Sequence, residues 1–236
     1  MNLKYKKIGI IGGLAPISTQ DYYNQIITKY YKKKKDLFYP EILIHSLCFG
    51  EVINRNYVIT NKLKKAIINL KNSGADFIIA ACNSIHIDHK KIQKIIDIPW
   101  INISLPTIKY LIKHKKRKVL FLSTKYTYKN KDYFQNFKKN KIEIVVPSNF
   151  EIKKLNNYIY KELVFKKISK NGEKFLKKLV HKYKEKNIEA IILGCTELKY
   201  AFKNKKYMNI DLIDTNELHC DFALNYSINV IKKISF

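Results

Sequence analysis

Two short segments of the chain repeat one pattern, and each delivers one cysteine. Residues 74–84 read GADFIIAACNS and residues 187–197 read NIEAIILGCTE. Each segment opens with glycine or asparagine, the residue types that best tolerate the left-handed conformation closing a helix. A short apolar run, a cysteine and two polar residues follow. The repeat predicts two related α/β halves, with Cys82 and Cys195 at equivalent strand ends.

The position of these cysteines indicates a binding site. In parallel α/β sheets, ligands bind at the carboxyl ends of the strands. Two thiols at equivalent strand ends of related halves can face each other across one cleft. Such an arrangement suits acid–base chemistry on two sides of a small substrate.

Strands and helices alternate along the whole chain, which is typical of α/β proteins with mainly parallel sheets. We therefore expect two similar Rossmann-like domains with the active site in the cleft between them. The first domain is predicted over residues 1–103 and the second over 104–209. A C-terminal helix, within about 210–236, is expected to return to the first domain.

The net charge of +27 raises the question of a nucleic-acid partner. Only Arg55 and Arg117 are arginine; the other basic residues are lysines scattered along the chain. Asn, Ile and Tyr are also abundant, so a bias toward A/T-rich codons accounts for the charge equally well. We predict no specific nucleic-acid partner, and solvated surfaces for the lysine runs 32–35 and 113–118.

Residues 1–7 are basic, but the segment that follows them gives no targeting signal. The apolar stretch Ile8–Ile11 is far too short for a signal peptide, and no apolar run reaches the roughly 18 residues of a membrane helix. We therefore expect a cytoplasmic protein with no membrane partner.

Cysteine spacing argues against a metal or redox site. The four cysteines form no C-x-x-C pair, so neither a zinc ribbon nor a thioredoxin-type centre is expected. In the cytoplasm all four should be reduced. Cys48 and Cys220 are interpreted as small buried apolar residues.

Five segments, taken in chain order, span nearly the whole chain. They are Ile8–Pro16 followed by Thr19 and Tyr22-Tyr23, then Ala81–His86, Leu122–Thr127, Leu193–Leu198 and Asp214–His219. Together these segments resemble the aspartate/glutamate racemase family.

Details of these segments are more similar to the aspartate racemase branch. Glutamate racemases usually open with an Asp-Ser motif and carry a histidine after the second Cys-Thr pair. This chain has Gly12-Gly13 at the first place and Glu197 at the second. It departs from the family pattern at Ala15, where glycine is usual, and at Ser84, where threonine is usual. Ser84 keeps the hydroxyl group.

The resemblance implies a cofactor-independent racemase that interconverts L- and D-aspartate, with glutamate as an alternative substrate. Cys82 and Cys195 would be the two catalytic bases, with neither pyridoxal phosphate nor metal. Nucleotide binding at Gly12 and Gly13 is disfavoured because the G-x-G-x-x-G spacing is incomplete. The resemblance also implies that the protein forms a homodimer. It implies as well that the protein binds a small amino-acid substrate.

Polar residues beside the cysteines are candidate substrate ligands. Asn83, Ser84 and Thr196 can hold the substrate carboxylate, or cap the helices that follow. Glu197 can orient the substrate ammonium group, or act as a cap. The remaining two candidates are Thr124 and Thr127, which are assigned by resemblance to a threonine-containing loop of the family.

Arg55 is a candidate clamp for the side-chain carboxylate of the substrate. Asn54-Arg55-Asn56 aligns with an Asp-Arg-Thr segment of the family, and bidentate geometry is what lysine cannot provide. The alternative is a surface arginine. Family members also contact the substrate through a lysine, and Lys166 is the candidate for that residue in this chain.

Other functions on the same scaffold remain open at this stage. Maleate isomerases, hydantoin racemases and arylmalonate decarboxylases use one or both cysteines on other carboxylates. A protein from a different class, a non-catalytic basic binding protein, is the remaining alternative. His86 and His219 are either structural or parts of a proton relay.

Overall fold

A computed structural model describes residues 5–48, 50–51, 56–202 and 204–229. The chain divides into two compact units. The first unit comprises Met1–Leu105 and Asn216–Phe236, and the second comprises Pro106–Thr215. Within the described ranges, no helix combines the length and the apolar character needed to cross a membrane.

Among its described residues, the first unit is built on a three-stranded parallel sheet. Its strands are β1 (Ile8–Gly12), β2 (Ile42–Ser46) and β3 (Phe77–Ala80), in the order β2-β1-β3. Every residue of β1 and β3 is buried, as expected for parallel strands covered on both faces. The helices are α1 (Pro16–Lys34), α2 (Asn56–Asn72), the short α3 (His89–Gln93), α4 (Ser104–Lys113), which continues into the second unit, and α8 (Thr215–Ser227).

Alternate residues of β1 pack into two cores. Ile8 and Ile10 join the core formed with α1 and α8, whereas Ile11 joins the core formed with α2. The alternation follows from the two-residue repeat of a strand. The sequence also suggests a strand over residues 99–103, but among the described residues this stretch makes a single bridge, between Ile78 and Trp100.

In the described residues of the second unit, five strands lie in the order β5-β4-β6-β8-β7. All neighbours are parallel except β7 and β8, which are antiparallel. The strands are β4 (Lys118–Leu122), β5 (Glu143–Val145), β6 (Ala190–Leu193), β7 (Lys206–Tyr207) and β8 (Ile210–Asp214). The helices are α5 (Lys131–Lys139), α6 (Asn149–Lys161) and α7 (Lys170–Lys184), joined by 3₁₀ turns.

Local signals in the sequence start the helices of this unit. Ser148 and Glu151 form a reciprocal capping box at the start of α6, and Ser169 accepts the Gly172 N–H at the start of α7. Asn130 accepts the Tyr133 N–H at the start of α5. Each cap satisfies a backbone donor that would otherwise lack a partner, which fixes where the helix begins.

The two units share one strand order around the cysteine motifs. β2-β1-β3 in the first unit corresponds to β5-β4-β6 in the second, and β3 and β6 each precede a cysteine. Gly74 has φ 95° and Asn187 has φ 57°, so both occupy left-handed positions before these strands. The predicted α/β fold with mainly parallel sheets, and the predicted equivalence of the two helix ends, are confirmed.

One segment differs from the predicted division of the chain. The prediction assigns residues from about 210 onward to the returning C-terminal segment. In the structure Ile210–Asp214 forms β8 and pairs with β6, with Leu212 opposite Ile191. The hydrogen-bonding edge of β6 that faces away from β4 is satisfied in this way. The chain enters the first unit only after β8, through α8, whose Ala223 and Leu224 lie in the core with α1.

Candidate functional site

The first cysteine motif lies directly after β3. The Ala81 N–H donates to the Ile11 carbonyl at 3.0 Å, which extends the sheet pairing by one residue. Cys82 is half-buried and forms no disulfide. Asn83 is buried, and its carbonyl accepts the His86 N–H at 3.2 Å at the start of a 3₁₀ turn, Ser84–Asp88. The predicted site residues Cys82, Asn83 and Ser84 are therefore together at one strand end.

A glycine loop lies at the neighbouring strand end of the same sheet. Gly13 has φ 81°, and its N–H donates to the Thr19 hydroxyl at 2.9 Å. A Cβ atom at Gly13 would lie 2.0 Å from the Leu47 carbonyl oxygen, so no side chain fits. A left-handed backbone and close chain packing both require glycine here. The sequence suggests Ser18 or Thr19 as a cap of the helix that follows, but α1 begins after Ala15 without a side-chain cap, and the Thr19 hydroxyl anchors the glycine loop instead.

A cluster of buried aromatic and imidazole rings follows the first motif. The His86 ring lies 5.1 Å from Trp100, and 5.9 Å from both His89 and His219. Among the described residues, neither His86 ring nitrogen has a partner at hydrogen-bond geometry. Burial lowers the pKa of His86 well below its ordinary value, and that of His219 to about 3.

The hydrogen bonds of His219 determine its tautomer. Its Nε2 lies 3.2 Å from the Ile101 carbonyl oxygen, which can only accept, so Nε2 carries the proton. Nδ1 therefore accepts the Tyr22 hydroxyl at 3.0 Å. His89 likewise donates from Nε2 to the Trp100 carbonyl, at 2.6 Å. Of the two interpretations left open for His219, these contacts favour the structural one.

The second cysteine motif follows β6 and is more enclosed. The Gly194 N–H donates to the Leu122 carbonyl at 2.7 Å, and a Cβ atom at Gly194 would lie 2.4 Å from Phe121. Cys195 is only 8% exposed. Glycine is required at this position because the aromatic ring packs against the backbone just before the thiol.

Glu197 is the polar partner of this thiol. The Cys195 Sγ donates to Glu197 Oε2 at 2.8 Å, and the Thr196 hydroxyl donates to the same oxygen at 2.6 Å. The Glu197 side chain is buried, and it makes no capping hydrogen bond to the following 3₁₀ turn, Leu198–Ala201. The alternative role of Glu197 as a helix cap is therefore wrong.

Hydroxyl side chains anchor the strand ends beside Cys195. Ser123 donates to the Gly194 carbonyl and Thr215 donates to the Leu193 carbonyl at 2.9 Å. The sequence interpretation missed both as anchors, although each lies within a family-like segment. Their role depends on neighbouring strands that are distant in the chain.

The threonine loop lies at the carboxyl end of β4, next to β6. Thr124 and Thr127 are buried, their hydroxyl oxygens are 3.4 Å apart, and the Thr127 N–H donates to the Thr124 carbonyl. Tyr128 donates to the Phe121 carbonyl at 2.8 Å, which ties the loop to its own strand. The second sheet thus brings together the predicted residues Thr124, Thr127, Cys195, Thr196 and Glu197.

Three other predictions have different outcomes. Arg55 lies outside the described residues. Lys166 has a left-handed backbone, and its Nζ lies 5.5 Å from the centre of the Tyr200 ring, on the turn after Glu197. Cys220 is buried, as predicted.

Cys48 contradicts its interpretation as a buried residue, because it is exposed. It follows β2, which is an edge strand with no neighbour on its outer side among the described strands. In the described part of the chain, no cluster of three or more His, Cys, Asp or Glu side chains could hold a metal ion.

Comparison with known proteins finds racemases among the relatives of this chain. The broad specificity amino-acid racemase RacX of Bacillus subtilis (strain 168) is 32% identical over 145 residues. That match covers 58% of this chain and 63% of RacX, so it spans less than two thirds of that relative.

Two solved structures match over nearly their whole lengths. An aspartate racemase homologue from Pyrococcus horikoshii OT3 is 34% identical with a TM-score of 0.82, covering 94% of this chain and 99% of that chain. The Picrophilus torridus aspartate racemase is 23% identical with a TM-score of 0.76, covering 95% of this chain and 94% of that one, and shows the shared fold. A sequence model described as Asp/Glu/hydantoin racemase matches residues 11–223. The chain belongs to the Asp/Glu/hydantoin racemase family.

Proposed function

We propose that this protein is a cofactor-independent amino-acid racemase that interconverts L- and D-aspartate, with glutamate as a second candidate substrate. The observation that carries the proposal is the pair of cysteines at equivalent strand ends of two units with the same strand order. Family membership supports the reaction class, and the relatives include an aspartate racemase homologue and a broad specificity amino-acid racemase.

The reaction removes the Cα proton from one face and returns a proton to the other. Without pyridoxal phosphate there is no electron sink, so the protein must supply a base and an acid itself. A thiol has an unperturbed pKa of about 8.5 and needs modest help to ionise near neutrality. In the proposal Cys82 and Cys195 act on opposite faces, one as thiolate and the other as thiol.

The polar groups beside each thiol are proposed to bind the α-carboxylate. On the first unit these are Asn83 and Ser84, and on the second they are Thr196 and the threonine loop with Thr124 and Thr127. Backbone N–H groups and hydroxyls at strand ends are suited to hold developing negative charge without reorganising.

The reaction is tested by incubating the purified protein with L-aspartate in deuterium oxide, without added cofactor. We expect deuterium at Cα and formation of D-aspartate, measured by mass spectrometry and chiral chromatography on an aspartate, glutamate and alanine panel. Prior dialysis against a chelator should leave the rate unchanged. Absence of both exchange and racemisation on the whole panel would refute the proposal, as would activity that requires added pyridoxal phosphate.

Specificity for a dicarboxylic substrate is proposed to depend on Arg55. Its planar guanidinium can bind a carboxylate in a bidentate manner that lysine cannot reproduce. We expect Arg55→Lys to lower kcat/KM for aspartate by about tenfold to a hundredfold. Alanine, which lacks the side-chain carboxylate, should be a poor substrate for both proteins and nearly unaffected by the change. Equal losses on aspartate and alanine would assign Arg55 a structural role.

A further inference from the structure

The loop between α1 and β2 exposes two large apolar side chains next to each other. Leu37 is 78% exposed and Phe38 is 70% exposed, and Tyr39 after them is also exposed. Single exposed apolar residues are ordinary on a protein surface, whereas a cluster of them indicates an interaction site. Because the loop precedes β2, it lies at the amino edge of the first sheet, and Cys82 lies at the carboxyl edge. The loop is therefore separate from the catalytic residues proposed in the first unit.

Hydrogen bonds hold this loop in one conformation. Helix α1 ends where Lys35 adopts a left-handed backbone and donates its N–H to the Tyr31 carbonyl at 3.0 Å. The Asp36 carboxylate then accepts the hydroxyl of the buried Tyr30 and, at 2.9 Å, the Phe38 N–H. A turn anchored in this way presents its apolar side chains to a partner with little further cost in conformational entropy.

A run of four exposed lysines, residues 32–35, borders the apolar loop. Lys33 lies 3.4 Å from Asp221, but Lys32 and Lys35 form no ion pair with a described residue. The whole chain carries a net charge of +27. Lysines of this kind can cover apolar surface with their stems while their ammonium groups stay in water. A partner that matches the loop must therefore be anionic and must also accept apolar side chains.

We propose that residues 31–39, which we name the apolar tip, bind the surface of an anionic phospholipid bilayer. In such a peripheral site, leucine and phenylalanine enter the boundary between headgroups and acyl chains, and lysines contact the anionic headgroups. Tyrosine favours the headgroup level. Tyr31 and Tyr39 flank Leu37 and Phe38 in the sequence, are both exposed, and pack edge to face with 6.1 Å between their ring centres. The composition and exposure of the apolar tip match each layer of the bilayer surface.

Other partners fit these observations less well. Single-stranded nucleic acid would stack on Phe38 and Tyr39, but Leu37, the most exposed of the three, has no aromatic face for stacking. A second copy of this chain would bring two lysine runs together on a protein that already carries a charge of +27. The sequence-based expectation of no membrane partner rests on the lack of a spanning or signal segment. It does not address a peripheral surface that forms only in the folded chain.

Co-sedimentation of the full chain with lipid vesicles tests the proposal. We expect binding to phosphatidylcholine vesicles that contain phosphatidylserine, much weaker binding to phosphatidylcholine alone, and weakening by salt. Leu37→Ser combined with Phe38→Ser should lower the affinity by about 100-fold, because two large apolar side chains no longer leave water. Phe150→Ser, which removes a 75% exposed ring at the start of α6, is the matched control and should bind as the wild type does.

Fluorescence separates insertion of the apolar tip from adsorption of its charges. Leu37→Trp places an indole in the tip, and phosphatidylserine vesicles with brominated acyl chains should quench its emission. Phe150→Trp should not be quenched, and the buried Trp100 is a background common to both proteins. Lys32→Gln with Lys35→Gln should lower the affinity by about fivefold per lysine, without changing the quenching of Leu37→Trp at saturating lipid.

Several results would overturn the proposal. Equal vesicle binding by the wild type and the Leu37→Ser/Phe38→Ser protein would show adsorption by charge alone, and unquenched Leu37→Trp would show that the tip does not insert. Without vesicle binding, a dimer that these serine substitutions dissociate would assign the tip to a second copy, and oligonucleotide binding that they abolish would assign it to nucleic acid. Circular dichroism checks the fold of each variant. None of these measurements uses racemase activity, so their failure leaves the proposed function untouched.

Discussion

The two cysteine motifs share one backbone arrangement but differ in their surroundings. Cys82 and Cys195 both follow a fully buried four-residue strand, and each of these strands pairs in parallel with the first strand of its unit. Cys82 is half-buried and packs against the apolar core formed with α2, whereas Cys195 is buried against a carboxylate. The comparison teaches that strand topology repeats the position of the thiol, while side chains from other segments determine its chemical environment.

The largest expected effect is the loss of either thiol. We expect Cys82→Ser and Cys195→Ser each to lower racemisation by about 10³-fold or more, because a hydroxyl is far less acidic than a thiol. Chiral chromatography measures the rate, and circular dichroism checks the fold. The exposed Cys48 provides the matched control, and Cys48→Ser should be neutral. Wild-type turnover in the Cys195→Ser protein would contradict the two-base mechanism.

The second prediction concerns how the free energy of unfolding depends on pH, which we expect to be determined by buried histidines of the first unit. The pKa values of His86, His89 and His219 are lowered by burial in the first unit, whereas His114 and His181 of the second unit are exposed. The unfolded chain therefore binds more protons than the folded protein below about pH 6.5. The free energy of unfolding should fall with decreasing pH, by up to about 1.4 kcal/mol per pH unit for each of the three histidines.

Urea denaturation at pH 7 and pH 5 measures this dependence. His86→Leu should reduce the slope by about 1.4 kcal/mol per pH unit, since it removes one of the three groups. The matched control is His181→Asn on α7, an exposed histidine beside Glu185, which should leave the slope unchanged. An unchanged slope in the His86→Leu protein would show that this ring is not kept neutral by burial.

The third prediction addresses the residue before each cysteine. Ala81 carries a Cβ atom in the first motif, whereas a Cβ atom at Gly194 would lie 2.4 Å from the Phe121 ring. We expect Gly194→Ala to lower the free energy of unfolding by about 1–3 kcal/mol through overpacking. In a protein that already carries Phe121→Leu, Gly194→Ala should cost less free energy of unfolding than it does in the wild type. A double-mutant cycle measured by denaturant unfolding would show this difference. Additive losses would mean that the clash is relieved elsewhere.

The smallest expected effect lies at the two helix ends. Gly74 at φ 95° should lose about 1–2 kcal/mol of stability when changed to alanine, because Cβ disfavours this conformation. Its surroundings offer only ordinary contacts to a new Cβ atom, at 3.9 Å from the Lys7 Nζ. Asn187→Gly should stay within about 0.5 kcal/mol of wild type, since both residues tolerate φ 57°. Thermal denaturation of the two variants measures both changes in stability. Equal losses of stability in Gly74→Ala and Asn187→Gly would contradict the equivalence of the two left-handed positions.

Much of the fold follows from local patterns in the sequence. Apolar runs, helix-ending residues and the repeated cysteine segments predict the strands, their mainly parallel arrangement and the strand-end positions of Cys82 and Cys195. These signals act over a few residues, so the sequence alone carries them. Thr196 and Glu197 lie beside Cys195 because they follow it directly in the sequence, whereas Thr124 and Thr127 were assigned by family resemblance, and the pairing of β4 with β6 places their loop next to Cys195.

Only the tertiary structure decided which groups the key side chains meet. The exposure of Cys48, the pairing of β8 with β6 and the neutral state of His86 depend on segments far apart in the chain. The hydrogen bond between Tyr22 and His219 joins residues separated by 197 positions, and no local pattern predicts it. Glu197 is close to Cys195 in sequence, yet the direction of its carboxylate depends on how the turn after β6 packs. Burial and hydrogen-bond partners are properties of that packing, which is why they became visible only in the folded chain.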